Sequence, residues 1–170
     1  MLREAERGVE LLFIRRAEDP RDPWSGQIAF PGGRAEPGDD HLQATAVRET
    51  LEETRLDLAS DAEYLGALDE VQAMARMQRM DLAIAPFVYR LTRSADASAG
   101  HEVGSVHWLR LEDLLDERAS STTEYGPAAL RFPCLRVDGL VIWGLTYRMF
   151  ENLVFVLASH ASGDGAGGAR

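Results

Sequence analysis

Residues 8–16, GVELLFIRR, alternate loosely between large apolar and polar side chains, the two-residue period of a strand. RAEDPRDPWSG, residues 16–26, crowds Pro20, Pro23 and Gly26 together and predicts a loop. QIAFPGG follows as a short strand stopped by Pro31 and two glycines. RAEPGDD is turn chemistry, with Asp39 or Asp40 expected to cap a helix over about residues 42–55. Beyond it, AEYLGALDEVQA predicts two short strands or a hairpin, and LAIAPFVYRL one strongly apolar strand. EVGSVHWLRL reads as a strand leading into the short amphipathic helix LEDLLDE. Asp138-Gly139 between apolar runs predicts a tight hairpin. LTYRMFENLVFVLASH, with Leu145, Met149, Leu153 and Val156 on one stripe, predicts a closing helix. Strands and helices mix without clean βαβ alternation, so the expected class is α+β with a mixed sheet. Residues 1–160 are expected to form one domain, and the glycine-rich 161–170 a disordered tail.

The helix over 42–55 carries an unusual polar face. At 100° per residue, Glu53 lies at about 40° and Glu52 at about 300° from Glu49, so three carboxylates share one side. Ala44, Val47 and Leu51 fall opposite and are expected to pack against the body. Like charges three and four residues apart destabilise a helix by a few tenths of a kcal/mol each. No lysine on that face offsets them. One reading is a solvated acidic surface; the other is a face built to hold a hard divalent cation, which prefers carboxylate and carbonyl oxygen.

Charge sharpens the second reading. A formal net charge of -10 argues against a nucleic-acid binder but leaves an anionic small molecule possible, because a cation supplies the missing positive charge. Cys134 is the single cysteine, which excludes an internal disulfide framework and any multi-cysteine metal site. No apolar run approaches the roughly 20 residues that cross a bilayer. The charged start MLREAERGVE does not read as a secretion signal, so the expected location is cytoplasmic.

With the glycine pair and RETLEET on the page, the chain resembles the Nudix hydrolases, whose box runs Gly-x5-Glu-x7-Arg-Glu-aliphatic-x-Glu-Glu-x-Gly-aliphatic. Arg48, Glu49, Glu52, Glu53 and the terminal Leu56 match position by position. Three positions depart: Asp40, separated from Gly33 by six residues instead of five, stands for the first glutamate, Thr50 for the aliphatic residue, and Arg55 for the helix-ending glycine. The resemblance implies the Nudix fold, an α/β/α sandwich around a mixed sheet. It also implies Mg²⁺ or Mn²⁺ held by Glu49 and Glu53 with a backbone carbonyl of Gly32 or Gly33, and Glu52 as a third ligand or the holder of a bridging water. The implied chemistry is attack of water on a phosphorus of a nucleoside diphosphate derivative. Arg48 is expected to orient a neighbouring carboxylate, or else to form an ordinary ion pair. Glu102 is a candidate further ligand or general base, or a plain exposed glutamate.

The likeness extends to the coenzyme A pyrophosphatase subgroup through LFIRRAEDPRDPWSGQIAFPGG and the closing GLVIWGLTYRMFENL. That subgroup releases 3',5'-ADP and 4'-phosphopantetheine; ADP-ribose, NADH or other dinucleotides, or a non-catalytic nucleotide-binding module, are the alternatives. Arg16 and Arg21 are candidate phosphate donors or solvated arginines. Arg76 and Arg79, in the MARMQRMD segment, are candidates for an anionic end of the substrate. Met74, Met77 and Met80 at three-residue spacing read as packing. MLREAERG is too short and polar for the full strand this family places first, so the expectation is either a chain that starts late, with a truncated edge, or an edge filled by a homodimer partner.

Overall fold

A computed structural model describes residues 1–163 other than Pro23, Arg76, Met77 and Ser94, with backbone alone for 74–80 and 161–163. Strand β2 (Gly8–Arg16) is its axis. Leu11, Leu12, Phe13 and Ile14 are consecutive and all fully buried, so both faces of this strand are covered. Strand β8 (Val103–Arg110) runs antiparallel along one side of it. The other side is shared by β1 (Leu2–Ala5), against Gly8 to Leu11, and β3 (Ile28–Ala29), against Ile14 and Arg15. Beyond β1 come β7 (Phe87–Leu91) and β4 (Ala62–Ala67). The β1–β7 pair is parallel and the others are antiparallel, which makes the sheet mixed.

On one face, Leu11, Phe13 and Leu109 pack with Leu135, Ile142, Phe150 and Leu153. Those partners come from β10 (Leu130–Val137), β11 (Leu140–Trp143) and helix α4 (Gly144–Gly163), and β10 also pairs antiparallel with β9 (Ser120–Tyr125). On the other face Leu12 meets Leu56 and Leu91 beneath α1 (Leu42–Thr54) and the single turn α2 (Leu58–Asp61). The expected α+β sandwich with a mixed sheet is what the chain forms. A separate hairpin pairs β5 (Val71–Ala75) with β6 (Gln78–Ile84), and the short α3 (Leu111–Leu115) follows β8.

Several expectations need correction. The N-terminal residues do form a strand: β1 lies between β2 and β7, so the position expected to need a partner is filled by the chain itself. LAIAPFVYRL is two strands, because Pro86 has no N–H for a ladder and separates β6 from β7. Helix α4 continues through Gly163, so residues 161–163 are helical where a tail was expected, and 164–170 lie outside the described residues. Strand β9 and the turn α2 had no expected counterpart. Among the described residues no helix is long and apolar enough to cross a membrane.

Candidate metal and phosphate site

The loop after β3 is fixed before it reaches the acidic helix. Phe30 stacks on Phe13 with ring centroids 4.7 Å apart, and Thr146 of α4, itself buried, donates its hydroxyl to the Ile28 carbonyl at 3.0 Å. The chain then turns through Gly32, whose φ of 153° a side chain would strain, and its N–H donates to Glu53 Oε2 at 2.9 Å. Gly33 lies so close that a Cβ there would sit 2.2 Å from Glu49 Oε1. Glycine at 32 supplies the positive φ, and a side chain at 33 would push the Glu49 carboxylate from its place.

Arg48 organises the rim. Its guanidinium donates to both Asp39 oxygens at 3.1 and 3.0 Å, to Glu49 Oε1 at 3.0 Å, to Glu52 Oε2 at 3.4 Å and to the Arg34 carbonyl at 3.1 Å. Asp39, not Asp40, is therefore the acid that anchors it. Arginine contact holds the Asp39 carboxyl well below the usual range and raises the guanidinium above its own. Leaving five residues after Gly33 lands on Asp39, whereas leaving seven before Arg48 lands on Asp40. One extra residue makes the two counts disagree, and the arginine contact follows the forward one. Neither aspartate caps α1: His41 does, accepting the Ala44 N–H on Nδ1 at 3.0 Å.

The buried face of α1 is also not the one expected. Thr45, Thr50, Glu53 and Thr54 are buried, while Leu51 is 43% exposed. Glu53 thus belongs to the inward side. Burial pushes its carboxyl up to about 7; the Gly32 N–H and the charge of Arg16 oppose this, and Glu49 and Glu102 reinforce it. Burial also raises Glu49, against the pull of Arg48. Glu52 is exposed and turned to Arg48. Glu102, exposed at the entry to β8, is close enough for its charge to act on both Glu49 and Glu53.

Glu49, Glu53, Glu102, Gly33, Arg16 and Arg21 line one cavity of about 880 Å³. Leu82, Ile84, Phe87, Leu145, Met149 and Leu153 add apolar wall to the same cavity. Arg16 donates to Asp22 Oδ2 at 2.8 Å, a partner absent from the expectations, and Arg21 pairs with Asp19 while remaining 89% exposed at its side chain. Arg76 lies outside the described residues, and of Arg79 only the backbone, in β6, is described. Among the described residues no three His, Cys, Asp or Glu side chains stand together as a preformed metal cage. The donors near Gly33 are nevertheless carboxylate oxygens, Glu53 buried and Glu49 half-buried, and they repel one another, a pair suited to a hard divalent cation.

The family model for the NUDIX domain matches residues 1–128. The chain belongs to the Nudix family. The uncharacterized protein C14C4.10c of Schizosaccharomyces pombe is 37% identical over 108 residues, covering 62% of this chain and 33% of that protein. An uncharacterized Nudix hydrolase, NudL, of Yersinia pestis is 48% identical over 58 residues, 34% of this chain and 28% of that one. The matches thus span about a third of the length of these curated relatives. Among solved structures, a C. elegans Ap4A hydrolase binary complex superposes with a TM-score of 0.54 at 20% identity, covering 66% of this chain and 76% of that one. The M. smegmatis Nudix hydrolase RenU gives 0.52 at 18% identity, covering 66% and 68%. At these identities the likeness is one of fold: the chain has the Nudix fold. Nudix enzymes generally use divalent cations.

Proposed function

We propose that this Nudix chain hydrolyses the phosphoanhydride of a nucleoside diphosphate derivative with the help of Mg²⁺ or Mn²⁺. The observation that carries this reading is that the Gly32-Gly33 backbone lies against Glu53 and Glu49 on the wall of a cavity that Glu102 also lines. Glu49, Glu53 and the Gly33 carbonyl are the first candidates to hold the cation, with Glu52 at the rim. A cation bound there neutralises phosphate charge and lowers the pKa of bound water. Arg48 fixes the Glu49 carboxylate from behind and is itself anchored by Asp39. Arg16 and Arg21 stand at the cavity as donors for the substrate's phosphates. Glu102 is the candidate base for the attacking water, whose oxygen bonds to one phosphorus as the bridging oxygen leaves with the other.

Coenzyme A or a derivative is the substrate we favour, cleaved to 3',5'-ADP and 4'-phosphopantetheine. Support comes from the mixed lining of the cavity, the carboxylates of α1 together with apolar side chains such as Leu82, Phe87 and Met149, which suits a diphosphate carrying a long, weakly charged arm. ADP-ribose and NADH are the competing substrates. Incubation with Mn²⁺ and coenzyme A, ADP-ribose, NADH or diadenosine polyphosphates, with products separated by chromatography, tests both levels. Turnover of coenzyme A ahead of the others is expected; folded protein that cleaves none of them refutes the reading. Glu53→Gln should remove orders of magnitude in rate from an enzyme, and alter little beyond metal affinity in a binding module.

A further inference from the structure

Glu102 is remote in sequence from α1, yet its charge bears on Glu49 and Glu53. The preceding loop is bonded to the end of that helix. The last carbonyls of any helix lack intrahelical donors. Here the Ser98 N–H donates to the Thr54 carbonyl at 2.9 Å and the Gly100 N–H to the Glu53 carbonyl at 2.8 Å. Ala95 and Ala97 seat the same loop against Leu12, Leu56 and Leu91. Gly100 is buried, and a Cβ on it would lie 1.9 Å from the Glu52 carbonyl oxygen, about 1.5 Å inside ordinary contact. The obstacle is helix backbone, which cannot swing aside as a side-chain tip does. Past Gly100, the Glu102 carbonyl accepts the Ala17 N–H at 3.0 Å, which fixes the other side of the residue.

We propose that Gly100 is a positioning residue: its bare Cα lets the loop clamp onto the C-terminus of α1 and thereby sets Glu102 against the carboxylates that α1 carries. The proposal rests on the hydrolase reading above. A side chain at residue 100 lifts the loop and carries Glu102 off its place, and a misplacement of about 1 Å at a reacting centre costs on the order of 10²-fold in rate.

A double-mutant cycle tests this, with kcat and KM measured for the parent, Gly100→Ala, Glu102→Gln and the double variant on whichever diphosphate the parent cleaves. Gly100→Ala should lower kcat about 100-fold and leave KM within about threefold. The double variant should be no slower than the slower single one, because a displaced Glu102 has nothing left to lose. Amide hydrogen exchange should show residues 98 and 100 losing protection in Gly100→Ala while the middle of α1 keeps its own. If Gly100→Ala does not fold, Ser98→Pro, which deletes the bond to Thr54 without adding bulk over Glu52, takes its place in the cycle. Losses that multiply, or a Gly100→Ala enzyme as fast as the parent, overturn the clamp. A folded parent that cleaves no phosphoanhydride overturns the hydrolase reading instead.

Discussion

Replacing Glu53 by glutamine removes one charge from the most buried carboxyl of the cluster and keeps an oxygen that can accept the Gly32 N–H. In the folded chain Glu53 titrates at about 7 against an ordinary 4.5, because burial disfavours its ionised form. The folded state therefore holds this proton more tightly than the unfolded state does. The group costs nothing below the ordinary carboxyl pKa, and stability declines as pH rises from there through about 7. At 1.36 kcal/mol per unit the ceiling on that cost is roughly 3 kcal/mol, and water at the cavity mouth reduces it to about 1–2 kcal/mol. In EDTA near pH 8, Glu53→Gln should thus melt roughly 2–8 °C above the parent, and the two should converge near pH 4. Manganese should invert the order. At about 100 times Kd, a ligand bound only by the folded state adds about 2.7 kcal/mol to the parent, and the variant, short of a ligand oxygen, gains less. Thermal melts across this pH range, with EDTA and with Mn²⁺, read all three outcomes. A variant that is no more stable than the parent near pH 8 without metal would refute the reasoning, since the charge would then carry no burial cost.

Arg55 ends α1 at φ 62°, where the family pattern has glycine. Arg55→Gly should raise Tm by about 2–3 °C, as relief of a left-handed residue, about 1 kcal/mol, outweighs the added freedom of the unfolded chain. A fall in Tm would show that the arginine is held by something worth more than the strain. Asp39→Asn should lower both Tm and kcat by loosening Arg48, whereas Asp40→Asn should stay within about 2 °C of the parent, the range of an ordinary surface change; equal effects would remove Asp39 from the rim. Asp22→Asn frees the Arg16 guanidinium to turn toward Glu53, so half-saturation by Mn²⁺ in the activity assay should rise about 3–10-fold. An unchanged metal dependence would place Arg16 out of reach of the cation.

How much of this was legible in the sequence follows from which signals are local. The α1 helix, the FPGG turn before it and the Asp138-Gly139 hairpin rest on residues a few positions apart, and the chain forms each of them. Polarity is not exposure on the inward face of α1. Thr50 and Thr54 return their hydroxyls to the Ala46 and Thr50 carbonyls at 2.7 and 2.6 Å, which satisfies the polar atom and leaves a methyl group to pack. Buried threonines of this kind turn the helix so that Glu53 faces the cavity and Leu51 faces outward. That rotation separates the three glutamates: Glu53 is buried, Glu49 is half-buried between Gly33 and Arg48, and Glu52 is exposed. Helical spacing makes them equivalent members of one face, but their different solvation leaves Glu53, rather than Glu52, with the greatest electrostatic need for a cation. Spacing narrows the partner of Arg48 to Asp39 or Asp40, but the contacts of Asp22 with Arg16 and of Gly100 with the end of α1 depend on how loops close over a finished sheet, and residue spacing carries no such information.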